Sequence, residues 1–329
     1  MSPLAIRPLL PLAEMREYRR RGAGWLLISC FVLSACSPVS EEATTTASAA
    51  APSTTATTQT TSSLDLGSTS TSDPTIDTIV QEPPGQLLVV GDWGSGTLPQ
   101  GAVAGSMQRY AEAHVIDAIL TTGDNFYSDD TEFLMRPYGW VEEQEIPWWI
   151  TWGNHDVESE SRIAAIDETF DSPPRWVVYA WGRVDVVILD SNQVSSLEQA
   201  FFFLQSMASS ERPMVVALHH PPYSCSHYGS TIDVVNEMVG LLDDDVVLVL
   251  AGHDHNYQRF ENAGITYIVT GGGGRDLYPL RDCPVNHPEQ LAGAELYHFL
   301  ALEQLDDEIT VTAMDVNGSS IEEISIPIP

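Results

Sequence analysis

Between Leu87 and Val269 the chain alternates short apolar runs with longer stretches of helical spacing. The runs are Leu87 to Val90, Ala118 to Leu120, Trp148 to Trp152, Val184 to Leu189, Met214 to Leu218, Val246 to Leu250 and Ile265 to Val269. Each is rich in β-branched or aromatic side chains and has no polar alternation, the pattern of strands covered on both faces. Helical stretches fall between several of them, at Val103 to His114, Leu197 to Met207 and Ile232 to Leu242. The order predicts an α/β domain with helices covering its sheets. Near the end, His298 to Gln304 and Glu308 to Met314 flank Asp306-Asp307 and predict a hairpin, with Ile321 to Ile326 as a last strand.

The N-terminal quarter breaks this pattern. Arg19, Arg20 and Arg21 precede an apolar stretch, Trp25 to Leu33, that is too short to span a bilayer and ends in Leu33-Ser34-Ala35-Cys36. Residues 1–35 therefore read as a signal peptide of lipoprotein type, with a lipid on Cys36 and cleavage before it. An ordinary signal peptide cut near Ala35 and a single-span anchor are the alternatives, and the arginines leave the Sec and twin-arginine routes both open. From Ser37 to about Gln81 the chain is Ser, Thr, Ala and acidic residues with almost no aromatics. Such a segment buries too little apolar surface to offset its ordering entropy, so 36–83 is expected to be a disordered stalk. The folded domain is expected over 84–329. Export to the cell envelope, periplasmic or on the outer surface of the membrane, leaves Cys225 and Cys283 in an oxidising compartment. They are a disulfide candidate, two free thiols being the alternative.

Charge narrows the partners. The 329 residues carry a formal net charge of -32, and the 14 basic residues are all arginine. That surface repels nucleic acid and anionic lipid headgroups, so neither is an expected partner and membrane contact is expected only through the lipid. An anionic substrate would need a strong local positive charge, which bound metal ions supply.

Candidate chemistry gathers where the apolar runs end. Leu87 to Val90 leads into Gly91-Asp92-Trp93-Gly94, and Ile119-Leu120 is followed by Gly123-Asp124-Asn125-Phe126-Tyr127. Trp148 to Trp152 leads into Gly153-Asn154-His155-Asp156, Val216 to Leu218 into His219-His220, and Val246 to Leu250 is followed by Gly252-His253-Asp254-His255. Sites in α/β sheets form at the carboxyl ends of strands, so five such segments can share one cleft. In this order the five blocks resemble the calcineurin-like metallophosphoesterases, and the forms GDWG, GDNFY, GNHD, VALH and GHDH resemble the small, single-domain purple acid phosphatases. The resemblance spans Leu87 to about Gly274.

That resemblance implies a four-layer α-β-β-α sandwich, two mixed sheets flanked by helices, and a dinuclear metal centre. It places Fe(III) at Asp92, Asp124, Tyr127 and His255, and Fe(II), Zn or Mn at Asp124, Asn154, His219 and His253. The first set is hard or borderline and suits a trivalent ion; the second is richer in neutral donors. Tyr127 is the most discriminating residue, because phenolate-to-Fe(III) charge transfer gives the purple enzymes their colour. The implied reaction is hydrolysis of small phosphomonoesters by a metal-bound hydroxide, bridging or terminal, with activity reaching acidic pH. His155, His227 and His220 are the candidate proton donors or phosphate contacts, and His227 lies about one residue further along than in the small family members. Asp156 is grouped with them as the carboxylate that orients His155 or a metal ligand.

Two other readings share these residues: a phosphodiesterase or nucleotide hydrolase, and a surface binding lipoprotein with an inactive metal site. Gly271 to Gly274 lacks the Lys-Ser/Thr of a P-loop and reads as tight backbone passage near the metals. Asn192 reads as a turn residue. Ser128-Asp129-Asp130 adds negative charge beside Tyr127 and is expected to disfavour highly anionic esters such as ATP.

Overall fold

The computed structural model describes residues 85–242 and 245–329. The expected signal peptide at 1–35, the expected lipid on Cys36 and the expected stalk at 36–83 fall outside the described residues. No helix among those described is long and apolar enough to cross a membrane.

Two sheets form the centre. The first orders its strands β13-β12-β11-β1-β2-β3, where β1 is Gln86–Val90, β2 Ile116–Thr121, β3 Trp148–Trp149, β11 His298–Gln304, β12 Glu308–Asp315 and β13 Ser320–Pro327. The second runs β10-β8-β9-β7-β6-β5-β4, from β4 Val177–Trp181, β5 Val184–Ile188, β6 Met214–Ala217, β7 Val246–Ala251, β8 Tyr257–Asn262, β9 Ile265–Thr270 and β10 Gln290–Ala294. Both are mixed: β1, β2 and β3 are parallel, as are β5, β6, β7 and β9, while the outer strands pair antiparallel.

The side-chain period of two sorts one continuous apolar run into two cores. Leu87, Val89, Ala118 and Leu120 face the second sheet, meeting Val186, Ile188, Val215 and Leu250. Leu88, Val90 and Ile119 point the other way, onto Val103, Ala104 and Met107 of helix α1 (Leu98–Ala111). On the far face of the second sheet, Val187, Val216 and Val249 pack with Phe203 and Met207, which belong to a helix at Leu197–Ser209. Helix, sheet, sheet and helix are the four expected layers, and the uniform hydrophobicity of the runs follows from their having no solvent face.

Two expected elements are shorter than their apolar pattern. Only Trp148–Trp149 of the run to Trp152 joins the ladder, because the Thr151 amide donates to the side chain of Thr121 at 3.0 Å. The helix expected over 232–242 stops at Glu237, and a 3-10 turn over Val239–Leu241 follows. The hairpin and the final strand form as expected, with Leu302 opposite Val311 and Val311 opposite Ile324.

His298 opens β11 in full burial, with Nδ1 donating to the Leu296 carbonyl at 2.9 Å and Nε2 accepting from the Thr270 hydroxyl at 3.0 Å. Burial pulls its pKa from 6.5 down to about 4. A histidine with a depressed folded pKa binds fewer protons folded than unfolded, so its contribution is complete above about pH 6.5 and is lost as pH falls toward 4. Unfolding titrations between pH 7 and 4 should show about 3 kcal/mol of acid destabilisation from this group. His298→Gln should flatten that slope; an unchanged slope refutes the assignment.

Candidate metal centre

All five predicted segments end at one side of the two sheets, and their polar side chains meet there. Asp92 and Asp124 leave β1 and β2 in the left-handed backbone region, φ 56° and 50°, and His253 does so after β7 at φ 70°. Such conformations cost about 1–2 kcal/mol in a residue with a Cβ and persist only where packing over-determines them. Close approach explains two of the neighbouring glycines. A Cβ at Gly153 would strike the amide and carboxylate of Asp124, and one at Gly123 would lie 2.6 Å from His219 Nδ1.

The donors form two groups with one shared member. In the first, the Tyr127 hydroxyl lies 3.2 Å from Asp92 Oδ1, 3.1 Å from Asp124 Oδ2 and 3.3 Å from His255 Nε2, and His255 Nε2 is 3.3 Å from Asp92 Oδ1. In the second, His219 Nε2 lies 3.0 Å from Asn154 Oδ1, 3.2 Å from His253 Nδ1 and 3.4 Å from Asp124 Oδ1. Donors bound at about 2.0–2.2 Å around one ion stand about 3.0–3.5 Å apart, so both groups have the spacing of a coordination shell. Asp124 contributes one oxygen to each.

Protonation fits the same use. His219 Nδ1 donates to the Thr122 carbonyl at 2.8 Å and His255 Nδ1 to the Asp276 carbonyl at 2.7 Å, which leaves both Nε2 lone pairs facing the groups. Burial holds His219 well below the usual imidazole range and His253 down to about 3, so both are neutral. His255 is raised in spite of burial by its contact with Asp92. Burial, with mutual repulsion, lifts Asp124 well above its ordinary value and Tyr127 likewise, and burial raises Asp92. Two buried carboxylates and a phenol in contact, without lysine or arginine among their hydrogen-bond partners, are a poor site for protons alone and a good one for cations.

The flanking residues divide. His155 lies at the surface against the Tyr127 ring, centroids 4.7 Å apart, with Nδ1 2.8 Å from Glu158 Oε2. His220 sits 4.6 Å from the His253 ring, and the Ser191 hydroxyl is 2.8 Å from its Nδ1. Because that hydroxyl already accepts from the amides of His219 and His220, it donates to Nδ1 and leaves the proton of neutral His220 on Nε2. Burial keeps that ring neutral, with a pKa down at about 4. His227 is exposed at the rim, 4.7 Å from the rings of Tyr228 and Tyr278, which stack in turn on His253 and His255.

Asp156 does not stand with the catalytic candidates. It is fully buried, and its carboxylate accepts from the amides of Asn125, Phe126 and Gly153 and from the Asn125 side chain at 2.7–3.1 Å. It ties the loop carrying Asp124 to the loop carrying Asn154, and His155 finds Glu158 instead. The expected repulsion of anionic esters by Asp129 and Asp130 is also weakened: Asp129 pairs with Arg162 at 2.9 Å, and Asp130 caps the helix at Thr131–Met135. Gly271 to Gly274 passes behind Asp92 as expected, with Gly273 N donating to Gly91 O, and Asn192 closes a turn onto Asp190.

Sequence reasoning missed Asp254, which is buried and accepts from Ser224 Oγ at 2.5 Å and from the amides of Tyr228 and Gly229. Its position inside Gly252-His253-Asp254-His255 was the available signal. It missed Tyr228 and Tyr278 too, which no local motif marks, and Arg275, whose signal was its place directly after Gly271 to Gly274. The Cys225–Cys283 disulfide forms, with Cα atoms 4.8 Å apart, and joins the two loops that carry Tyr228 and Tyr278.

Residues 85–257, which hold all of these donors, match the calcineurin-like phosphoesterase family. The chain belongs to that family. Among curated relatives, this phosphoesterase is 25% identical to purple acid phosphatase 4 of Arabidopsis thaliana over 71% of its own length and 81% of the relative's. It is 26% identical to tartrate-resistant acid phosphatase type 5 of Sus scrofa, over 74% and 86%. Its fold is similar to the purple acid phosphatase PPD1 from yellow lupin, at TM-score 0.60 and 17% identity, covering 75% of this chain and 54% of the other. It is also similar to GAP50, the anchor in the inner membrane complex of Plasmodium, at TM-score 0.66 and 17% identity, covering 75% and 90%. One architecture thus occurs in a phosphatase and in an anchor, so the fold alone does not decide activity. The homology to purple acid phosphatases implies a dinuclear metal centre.

Proposed function

We propose that the protein is an exported, dinuclear-metal acid phosphatase that hydrolyses small phosphomonoesters. The observation that carries this reading is the split of seven side chains into two donor groups joined by Asp124. In it, Asp92, Asp124, Tyr127 and His255 would hold Fe(III), and Asp124, Asn154, His219 and His253 would hold Fe(II), Zn or Mn. Such a pair, when bound, neutralises phosphoryl charge and lowers the pKa of coordinated water.

The chain's own groups supply the rest. His155 is accessible beside Tyr127 and is placed to hand a proton to a leaving alkoxide, with Glu158 fixing its ring. His220, protonated on Nε2 and set against His253, is placed to donate to a phosphoryl oxygen. His227, with Arg281 3.4 Å from its Nδ1, stands further out and suits the leaving-group end of the cleft. Export by the segment at 1–35 and anchoring through Cys36 belong to the same reading, which places the catalytic domain at 84–329 on the outer side of the membrane. Secretion leaves phosphate scavenging as the simplest use.

Iron-loaded protein should turn over para-nitrophenyl phosphate at mildly acidic pH and show a visible tyrosinate-iron band. Tyr127→Phe should abolish the band and keep two metals, with turnover within about tenfold of wild type. A colourless protein that is fully active with two divalent ions defeats the iron assignment. A metal-replete protein without ester turnover defeats the enzyme and supports the binding-lipoprotein alternative. Turnover of diesters or nucleotides at higher efficiency than monoesters would favour the second enzymatic reading instead.

A further inference from the structure

Arg275, which has no carboxylate partner among the described residues, lies beside the donor groups of a strongly negative chain. The Arg275 guanidinium lies over the Tyr127 ring, 4.9 Å from its centroid, while His155 borders the same ring at 4.7 Å. Arg162 is neutralised by Asp129 and Glu158, at 2.9 and 3.2 Å, and Arg175 by Asp190 at 3.2 Å, while Arg281 stands further out, against His227 at 3.4 Å. Among the described residues no carboxylate pairs with Arg275.

Its backbone is fastened on every side. The Gly274 carbonyl accepts from Ser95 Oγ at 2.9 Å and Thr97 Oγ1 at 2.7 Å. Arg275 N donates to the Asp92 carbonyl at 3.0 Å, and the next carbonyl, of Asp276, holds His255. The base of the side chain is therefore fixed relative to two candidate ligands. A half-buried arginine on a rigid base, with no carboxylate partner among the described residues of a protein of net charge -32, is a group set aside for an incoming anion.

We propose that Arg275 is a substrate-binding and specificity residue that grips the terminal phosphoryl oxygens of a phosphomonoester dianion. This rests on the phosphatase reading above. A monoester carries three non-bridging oxygens and two charges at neutral pH, and a diester two oxygens and one charge. A third electropositive contact beside two metal sites therefore rewards monoesters, and the residue sets the preference between them.

The test compares wild type, Arg275→Gln and Arg275→Lys, all metal-loaded, on para-nitrophenyl phosphate and bis(para-nitrophenyl) phosphate, with orthophosphate affinity measured by calorimetry. Arg275→Gln is expected to lower kcat/KM on the monoester about thirtyfold, mainly through KM, and on the diester by no more than about threefold. Orthophosphate should bind about tenfold more weakly, and Arg275→Lys should recover part of both losses. Equal losses on the two esters, or unchanged orthophosphate affinity, overturn the proposal. Wild-type protein that hydrolyses neither ester overturns the phosphatase reading instead, and the calorimetry still decides whether Arg275 binds phosphate.

Discussion

Asp124→Asn is expected to lower kcat/KM on a phosphomonoester by about a thousandfold or more, and to cut bound metal from two ions per chain to one or none. Asp124 is the single side chain that enters both donor groups, through Oδ2 at 3.1 Å from the Tyr127 hydroxyl and Oδ1 at 3.4 Å from His219 Nε2. Asparagine keeps its volume but loses the charge that two cations would share. Folding should not suffer. In the metal-free protein Asp124 is buried and repelled by Asp92 and Asp156, so its pKa stands well above the carboxylate range. A neutral amide replaces a carboxyl that burial makes costly to ionise, and the metal-free variant should be at least as stable as metal-free wild type. Metal analysis and denaturant unfolding on the same preparations separate the two effects. Two ions per chain with near-normal turnover would remove Asp124 from the bridging position.

Asp156→Ala should act the opposite way, lowering the unfolding free energy by about 3–5 kcal/mol. The change strips acceptors from three amides and one side-chain amide at once, all buried. Asn125 is otherwise satisfied, donating to the Thr151 carbonyl at 2.8 Å and accepting from Trp93 at 3.2 Å, so it has nowhere to turn. Asp156→Asn retains one acceptor oxygen and should lose less than alanine does. Turnover should fall in step with metal content rather than ahead of it, since Asp156 does not face the cleft. Urea unfolding monitored by tryptophan fluorescence reads the loss, and a value below about 1 kcal/mol would show that the clamp is not needed.

The buried strands were legible because each is a predominantly apolar run with both faces covered. Val177–Trp181 and Gln290–Ala294 were not named from sequence: both are outermost strands of the second sheet, and β10 alternates half-buried with exposed positions. Tyr257–Asn262 was passed over because it follows the histidine motif directly and carries Gln, Arg, Glu and Asn. Its burial depends on β9 beside it, a relation that periodicity within the segment does not contain. The short helices at Thr131–Met135 and Gly139–Glu143 have too few turns to display a face.

The seven candidate donors follow from the resemblance carried by five blocks, which are legible because each lies at the end of an apolar run, with a glycine directly before Asp92, Asp124, Asn154 and His253. What depended on the tertiary structure was the company each residue keeps. Asp156 belongs behind the cleft because the loops at Asn125 and Gly153 converge on it. Asp254 pins the loop at Ser224 to Gly229. The Tyr228, Tyr278 and Arg275 side chains are drawn to the mouth from segments that share no motif. The sequence by itself determined which ligand-forming side chains stand at the ends of the strands. Only the folded chain decided how they are supported and what surrounds them, because burial, the direction of a hydrogen bond and the pairing of a charge are properties of residues brought together from far apart along the chain.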